Sequence, residues 1–298
     1  MDLETMQLLI DVRKRGSFAA VARERTLDPS RISRAVAGAE EELGVRLFQR
    51  STRRVLATEA GELYIRRLEV IAEDLERARD DARSISHGPV GSLRLTTTVA
   101  FGQQAIVPLL SDFRRAHPRV ELDLILSDAN LDLVFERIDL AVRLGAEVSG
   151  DLVVSKLRDT VYRVCASPGY VQAHGRPGQP IELTHRACLR FNLPGYRDRW
   201  LFAAGETQPP TEVRIHGAIV ASGALALRAM ALDGLGPALL ADWLVDADIA
   251  AGRLIDLFPD RRVAATTFDT AVWLLYPSRS FLPRKVRAMI DFLRARLG

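Results

Sequence analysis

Ser30, Arg31, Ser33 and Arg34 stand in the run SRISR, directly behind Asp28-Pro29. A helix that enters a major groove N-terminus first presents its leading residues to base edges and phosphates, and small hydroxyls with guanidinium groups suit both targets. Asp28 is a good N-cap, and Pro29 is tolerated at the first helical position, where its missing N–H would be unpaired anyway. Val36, Ala39 and Leu43 follow at helical spacing and supply a packing face. Gly44 ends the helix through its freedom at positive φ. Beyond it Val45, Leu47 and Phe48 alternate weakly with Arg46, then Arg50, Arg53 and Arg54 follow, and no acidic residue occurs between Gly44 and Thr58. A short hairpin tipped with arginine reaches a phosphate or a minor groove. Taken alone, the stretch fits a solvated arginine cluster beside an ordinary helix equally well.

The residues that must position this stretch precede it. Met6, Leu9, Ile10 and Phe18, then Ala19, Ala20, Val21 and Ala22, then Leu27, lay out a first helix, a turn at Gly16-Ser17, a short alanine-rich second helix and a turn into the third. This layout resembles the N-terminal domain of LysR-type transcriptional regulators. The matching residues are Phe18, Ala20, Ala22, Leu27, Ser30, Ser33, Arg34, Glu40, Leu43, Gly44, Leu47, Phe48, Arg50, Arg53, Thr58, Ala60 and Gly61. Ala39 and Ala57 stand where the family usually has Leu, which implies weaker packing, and Asp28 stands where it prefers Ser or Thr, which implies repulsion of a nearby phosphate. The resemblance implies a winged helix-turn-helix on double-stranded DNA, with Ser30, Arg31, Ser33 and Arg34 near bases and phosphates and Arg50, Arg53 and Arg54 on the wing. Glu40, Glu41 and Glu42 are read as solubilising charge on the exposed side of the third helix.

With 298 residues, 48% apolar and 27% charged, the chain is long enough for two or three domains with real cores. A formal charge of +3 argues nothing about nucleic acid by itself; the local clustering of arginine does that. No charged start followed by an apolar run and no membrane-length stretch occurs, so the expectation is a cytoplasmic protein with no membrane partner. The five histidines share no short spacing with each other or with paired carboxylates, and no nucleophile elbow, phosphate loop or zinc motif is present. An enzyme is disfavoured, with no metal and no cofactor expected. Cys165 and Cys188 are too few for a disulfide framework and sit in apolar runs, as buried structural thiols do. A redox-sensing pair is the alternative, since Arg163, Arg186 and Arg190 flank them and could lower a thiolate pKa.

From Glu62 to about Ser86 the chain lacks Pro and Gly and reads as one long helix. Tyr64, Leu68, Ile71, Leu75, Ala78, Ala82 and Ile85 recur as a coiled-coil seam. An amphipathic surface helix is the alternative; the resemblance implies a linker helix that pairs two DNA-binding domains, in keeping with a two-fold symmetric operator.

Gly88-Pro89 and Gly91 break that helix. A strand at Leu93–Thr98, a helical face of Ile106, Leu109, Leu110 and Phe113 stopped by His117-Pro118, a strand at Val120–Leu126, a short helix at Leu131–Arg137 and a strand at Leu140–Leu144 imply a parallel sheet with right-handed crossovers. A second series begins at Val161 with YRVCASPGY and Cys188–Phe191. It continues through a strand at Val213–Ile219, a helix after Ser222, the turn Leu235-Gly236-Pro237 and a strand at Ala238–Leu240. Phe268–Tyr276 is expected as a last strand, and Val286, Met289, Ile290, Leu293 and Leu297 as the face of a closing helix. Arg197 and Arg199 with Trp200 are assigned to a solvated loop. The runs FGQQAIVPLLSDFRRAHPRVEL, DLAVRLG, ASPGYV, GLGPALLADWLV and GRLIDLF resemble the LysR-type effector-binding domain, with Ala241 departing from a frequent Pro.

The expectation is therefore an α/β chain overall, in three parts. Residues 1–61 form the all-α winged helix-turn-helix and 62–90 the linker. Residues 91–298 form a two-lobed, periplasmic-binding-protein-like effector domain, with one lobe made of 91–160 and 268–298 and the other of 161–267. Ligands of open α/β sheets sit outside the carboxyl ends of strands. That selects Thr97, Thr98, Val99, Phe101, Gln103 and Arg143 on the first lobe, and Arg190, Asn192 and Ser222 on the second. The resemblance places effector contacts near Thr98, Phe101, Asn192 and Ser222. The duller alternatives are that Thr98 and Ser222 only cap helices and that Arg143 pairs with Asp139 or Asp128. The arginines suggest a small anionic effector. Family members form homodimers or homotetramers; a constitutive DNA-binding protein without effector gating is a further alternative.

Overall fold

Asp2 accepts the backbone N–H of Thr5 at 2.8 Å and starts α1 (Leu3–Arg15) in the computed structural model. Ser17 likewise accepts from Ala20 and starts α2 (Phe18–Arg25). Asp28 accepts from Ser30 at 2.7 Å with Pro29 in the first turn, starting α3 (Pro29–Leu43), and Gly44 closes it at φ 69°. The sequence signals for start and stop are thus the ones the backbone uses. A hairpin of β1 (Phe48–Arg50) and β2 (Val55–Ala57) follows, antiparallel with Phe48 opposite Ala57, and then α4 (Glu59–His87). The structure describes residues 1–50, 55–133, 135–145, 152–205, 209–277 and 282–298; of residues 50, 73, 76, 77, 80–87 and 277 only the backbone is described.

Contacts divide the chain into two units, Met1–Gly88 and Pro89–Gly298. In the first, Leu8, Leu9, Val12, Val21, Ile32, Val36, Leu47 and Ile65 belong to one buried cluster. Ile32, not Leu43, completes the inner face of α3: Ile32 is fully buried whereas Leu43 is exposed. Gly61 is fixed by close approach, since a Cβ there would lie 2.0 Å from the Leu47 carbonyl oxygen. The α4 seam divides differently from the expected single stripe. Leu68 and Ala72 turn into the unit's own core, while Ile71 and Leu75 stay exposed. Ala82 and Ile85 fall outside the described side chains.

The second unit opens with β3 (Gly91–Thr97), α5 (Val99–Phe101), a π-type turn at Gly102–Ile106, a 3-10 turn at Val107–Leu109 and α6 (Leu110–Ala116). The expected helical face survives in Ile106 and Phe113, both fully buried, but Pro108 withholds an N–H and the helix is broken into pieces. β4 (Val120–Leu126) and β5 (Leu140–Gly145) flank β3 on either side, both parallel to it. Among the described residues of 131–137 the expected short helix is absent. Glu136 N–H donates to the Asp132 carbonyl and Ile138 N–H to that of Leu133, with Arg137 at φ 52°, so one turn closes and the chain leaves.

β6 (Leu152–Asp159) and the late-returning β15 (Ala271–Pro277) complete the first sheet in the order β4-β3-β5-β15-β6, with β15 antiparallel to both neighbours. That sheet is therefore mixed, and β6 was not anticipated. Between them lie β7 (Tyr162–Ala166), α7 (Pro168–His174), β8 (Arg190–Phe191), β9 (Arg199–Ala203), β10 (Thr211–Arg214), β11 (Val220–Ala221), α8 (Ala224–Leu232), β12 (Ala238–Ala241), α9 (Asp242–Ala250), β13 (Ile255–Asp256) and β14 (Arg262–Ala264). They build the antiparallel sheet β10-β9-β14-β7-β12, with β13 also on β7, and a small parallel pair of β8 and β11.

Two further expectations are corrected here. The strand foreseen at Val213–Ile219 is broken, because the chain changes partners: Ile215 donates to Asp198, while His216 and Ile219 accept from Cys188 and Arg190. Trp200 is not in a solvated loop. It is 1% exposed at the centre of β9, where Trp200 and Phe202 alternate inward with period two. The closing helix α10 (Arg284–Leu297) buries Val286, Met289, Ile290 and Leu293 against the first sheet, as its pattern predicts. Among the described residues no helix is long and apolar enough to cross a membrane.

Candidate functional site

On α3, Ser30, Arg31 and Arg34 are exposed on the first two turns and Ser33 is half-buried. Arg31 is held by Glu4 of α1 at 2.8 Å, and Arg34 Nε donates weakly to the Ser30 carbonyl at 3.4 Å. Both guanidiniums thus remain at the surface with their charge accessible. Arg53 and Arg54 lie outside the described residues, as does the side chain of Arg50. Glu40 is not solubilising charge. Its Oε1 accepts the backbone N–H of Leu47 at 2.8 Å and of Phe48 at 3.0 Å, so it ties the end of α3 to the first strand of the hairpin. Thr58 holds the other side, donating to the Arg46 carbonyl at 2.7 Å while accepting from Gly61. Arg13 joins α1 to α4 through Glu62 at 2.9 Å and Glu69 at 3.3 Å. A helix with exposed donors at its leading end is thereby mounted beside a short, anchored hairpin.

In the second unit a cavity of about 320 Å³ opens between the two sheets' edges. Its lining comes from chain segments far apart in sequence. Thr98 follows β3, Asp128 and Asn130 follow β4, and Arg143 lies in the second half of β5; across from them stand Tyr162 of β7, Phe191 of β8, Tyr196, Ser222, and Trp243 of α9. Three of its donors are buried without a hydrogen-bond partner among the described residues: Thr98 Oγ1, Arg143 Nη2 and Trp243 Nε1. Among the described residues Arg143 Nη1 reaches the Ser127 carbonyl, at 3.4 Å. Burial lowers the Arg143 pKa and the nearby Asp128 charge works the other way; a guanidinium nevertheless stays protonated at any ordinary pH. Of the two acids considered as its partners, Asp139 accepts from the Arg94 backbone and Asp128 from the Val99 backbone.

Thr98 occupies the N-cap position of α5 but makes no capping hydrogen bond, and Gly223, not Ser222, precedes α8. Neither residue is explained as a cap. Of the other expected contacts, Thr97 is fully buried within the sheet, and Phe101 lies in the core, where its ring meets Trp243 edge-on at 5.1 Å. Val99 and Gln103 do not line the cavity, and Gln103 is exposed. Arg190 pairs with Asp198 at 3.6 Å, and Asn192 is exposed with its backbone N–H on Ala221. Thr98, Arg143 and Ser222 are therefore the expected residues that meet in one place. Tyr162, Phe191, Tyr196 and Trp243 were missed. Trp243 stands next to Asp242, whose buried carboxylate binds Arg158 and the Val161 N–H and so fixes the start of α9 beside β6.

Cys165 and Cys188 are both buried and belong to different core clusters. Burial pushes each thiol up to about 12. Arg163, which flanks Cys165, is itself engaged by Asp246 and Asp256. No group of His, Cys, Asp and Glu able to hold a metal ion occurs among the described residues.

Residues 3–62 match the family model of bacterial regulatory helix-turn-helix proteins, lysR family, and residues 86–298 match that of the LysR substrate binding domain. The chain belongs to the LysR family. It is 32% identical to the HTH-type transcriptional regulator CrgA of Neisseria meningitidis over 99% of this chain and 97% of that protein. With the HTH-type transcriptional regulator DmlR of Escherichia coli it shares 31% identity over 98% of this chain and 93% of that one. The solved structure of CrgA, a LysR-type transcriptional regulator from Neisseria meningitidis, superposes with a TM-score of 0.63 at 31% identity, covering 100% of this chain and 99% of that chain. As a LysR-type transcriptional regulator the protein is a DNA-binding protein with an effector-binding domain, and not an enzyme. The exposed donors of α3 then belong to its helix-turn-helix, and the cavity to its effector-binding domain.

Proposed function

We propose that this LysR-type regulator responds to a small anionic effector held in the 320 Å³ cavity, with Arg143 supplying the charge and Thr98 and Ser222 further contacts. The observation that carries this is the set of three buried donors, Thr98 Oγ1, Arg143 Nη2 and Trp243 Nε1, on one cavity and without partners among the described residues. A buried donor without an acceptor costs the free protein about 1–3 kcal/mol, more when charged. An anionic ligand with acceptor oxygens removes that cost and gains the interaction. Ser30, Arg31, Ser33 and Arg34 read the operator, with Arg50, Arg53 and Arg54 on the wing side. The division into residues 1–61, 62–90 and 91–298 follows, with 91–160 and 268–298 as one lobe and 161–267 as the other; the strand β15 inserted between β5 and β6 supports the discontinuous lobe. Exposed Ile71 and Leu75 on α4 support pairing of two copies into a homodimer, and two dimers into a homotetramer. The protein acts in the cytoplasm, where its operator is. Effector binding changes DNA occupancy only if the ligand binds two arrangements of the assembly unequally.

The test is a titration of full-length protein against its own upstream intergenic DNA and a shuffled competitor at two salt concentrations. A preference on the order of a thousandfold for the native sequence is expected. Equal binding to both would favour a constitutive, non-specific binder. Thr98→Val should leave thermal stability unchanged or slightly raised, since it removes an unpartnered hydroxyl, and abolish the effector response. A normal response in that variant would remove Thr98 from the site.

A further inference from the structure

Resting on the assignment of the cavity to an anionic effector, we infer that the ligand is a monoanionic aromatic carboxylate, its carboxylate on the first sheet's side and its ring on the second's. Four aromatic rings line the cavity: Tyr162, Phe191, Tyr196 and Trp243. Three of them form a connected wall, with Tyr196 edge-on to Tyr162 and to Phe191, both at 5.9 Å between centroids. The two phenols spend their polar ends on each other, oxygen to oxygen at 3.0 Å, and Tyr196 also meets the Thr266 side chain. The wall therefore offers ring surface, not hydroxyl donors, to whatever fills the space. Trp243 is held in place by the edge-on contact with Phe101. Aromatic rings prefer offset or edge-to-face partners, which an aromatic ligand supplies and an aliphatic one does not.

Charge limits the ligand further. Arg143 is the one cation among the described lining residues, and Asp128 the one acid. A guanidinium that donates a forked pair of hydrogen bonds balances the charge of one carboxylate. A second carboxylate, or a phosphate dianion, would meet either Asp128 or the aromatic wall, where an unpaired charge is costly. The volume, about 320 Å³, lies near the small end of the roughly 300–1,000 Å³ range of ligand pockets and suits a single ring. Because Thr98 and Arg143 lie towards the carboxyl ends of first-sheet strands and Tyr162 and Phe191 belong to second-lobe strands, one molecule with a charged end and a ring end would touch both lobes.

The experiment measures thermal unfolding of the full-length protein with benzoate, cyclohexanecarboxylate, benzamide, succinate and inorganic phosphate. Benzoate should raise the midpoint, cyclohexanecarboxylate should bind roughly tenfold more weakly for want of ring contacts, and the others should give no shift. Arg143→Met should abolish the benzoate shift. Phe191→Leu, which removes a ring and no hydrogen bond, should weaken benzoate while leaving cyclohexanecarboxylate unchanged. An equal, Arg143-dependent response to cyclohexanecarboxylate or succinate would overturn the aromatic class and leave the anionic reading standing. A benzoate shift that persists in Arg143→Met would overturn the anionic reading itself. No shift with benzoate overturns the inference.

Discussion

Arg31 and Arg143, both proposed to meet anions, are prepared in opposite ways. Arg31 is half-exposed, at 55%, and already leans on a half-exposed carboxylate of its own unit, Glu4. Exchanging Glu4 for a phosphate is an exchange between hydrated partners, worth little by itself and sensitive to salt. Arg143 is half-buried and keeps one buried nitrogen without a partner among the described residues. Part of its desolvation is already in place in the free protein, so a carboxylate arriving there meets a charge that water screens less than it screens Arg31. The first arrangement suits a long polyanion bound through many weak contacts; the second suits one small molecule bound through few strong ones.

The largest effect that would sharpen this contrast lies at a third arginine arrangement. Arg228 and Arg253 both donate to Asp248, which is fully buried, at 2.5–2.9 Å. Asp248→Ala strands those guanidiniums and should cost about 3–5 kcal/mol in thermal or denaturant unfolding. Arg143→Met removes a charge that forms no ion pair among the described residues and should cost far less, or stabilise the free protein. Equal costs would mean that Arg143 is structural. The pH dependence has a definite sign. Burial works against the Asp248 charge, but the hydrogen bonds from Arg228 and Arg253 outweigh it and hold the carboxyl below its ordinary value. A depressed carboxyl stabilises above its unfolded pKa of about 3.9 and loses that contribution as pH falls towards its folded value. The difference between the wild type and Asp248→Asn should therefore be complete near neutrality and shrink below about pH 4.

Next in size is Arg34→Ala. An arginine that reads a base edge is worth about 1–3 kcal/mol of operator affinity, roughly 5–150-fold. Because Arg34 makes one weak internal hydrogen bond among the described residues, thermal stability should hardly change. Unchanged affinity would show that the exposed donors of α3 do not touch DNA. Smaller again is Glu40→Ala, which leaves the Leu47 and Phe48 N–H groups without their acceptor. Losing the charged acceptor of two part-buried hydrogen bonds should cost about 1–2 kcal/mol in thermal unfolding. A neutral result would mean the hairpin is anchored by Thr58 and Gly61 alone.

The two regions also differ in how plainly they are written in the chain. Asp28, Pro29 and Gly44 mark the ends of α3 with residues adjacent to it, so the helix and its leading donors could be read locally. Glu40 escaped because its partners, Leu47 and Phe48, lie beyond a turn, and a run of three glutamates looks like solvated surface. The cavity is non-local throughout. Strand ends told where Thr98, Arg143 and Ser222 would be, but Trp243 and Tyr196 reach it through α9 and a loop whose positions only the sheet order sets. The burial of Trp200 was legible, since Trp200 and Phe202 carry the alternation of a strand and not the pattern of a solvated loop. The mixed order of the first sheet was not: nothing local in Ala271–Pro277 says that it enters between β5 and β6.

The smallest expected effect concerns the cysteines, and it tests whether the cavity is the regulatory input. A thiol pushed up to about 12 by burial, as both are, carries about one part in ten thousand of thiolate at pH 8, and the thiolate is the reactive form. Iodoacetamide should therefore label native protein only as fast as the protein unfolds, and both sites should react at once in denaturant. Mild oxidant should leave operator binding unchanged, and Cys165→Ser should behave as the wild type does. Loss of binding with oxidant, reversed by reductant and absent from Cys165→Ser, would mean that these thiols become exposed in a state other than this one. In that case a second input would bypass Arg143, and effector titrations would have to be repeated with the thiols held reduced.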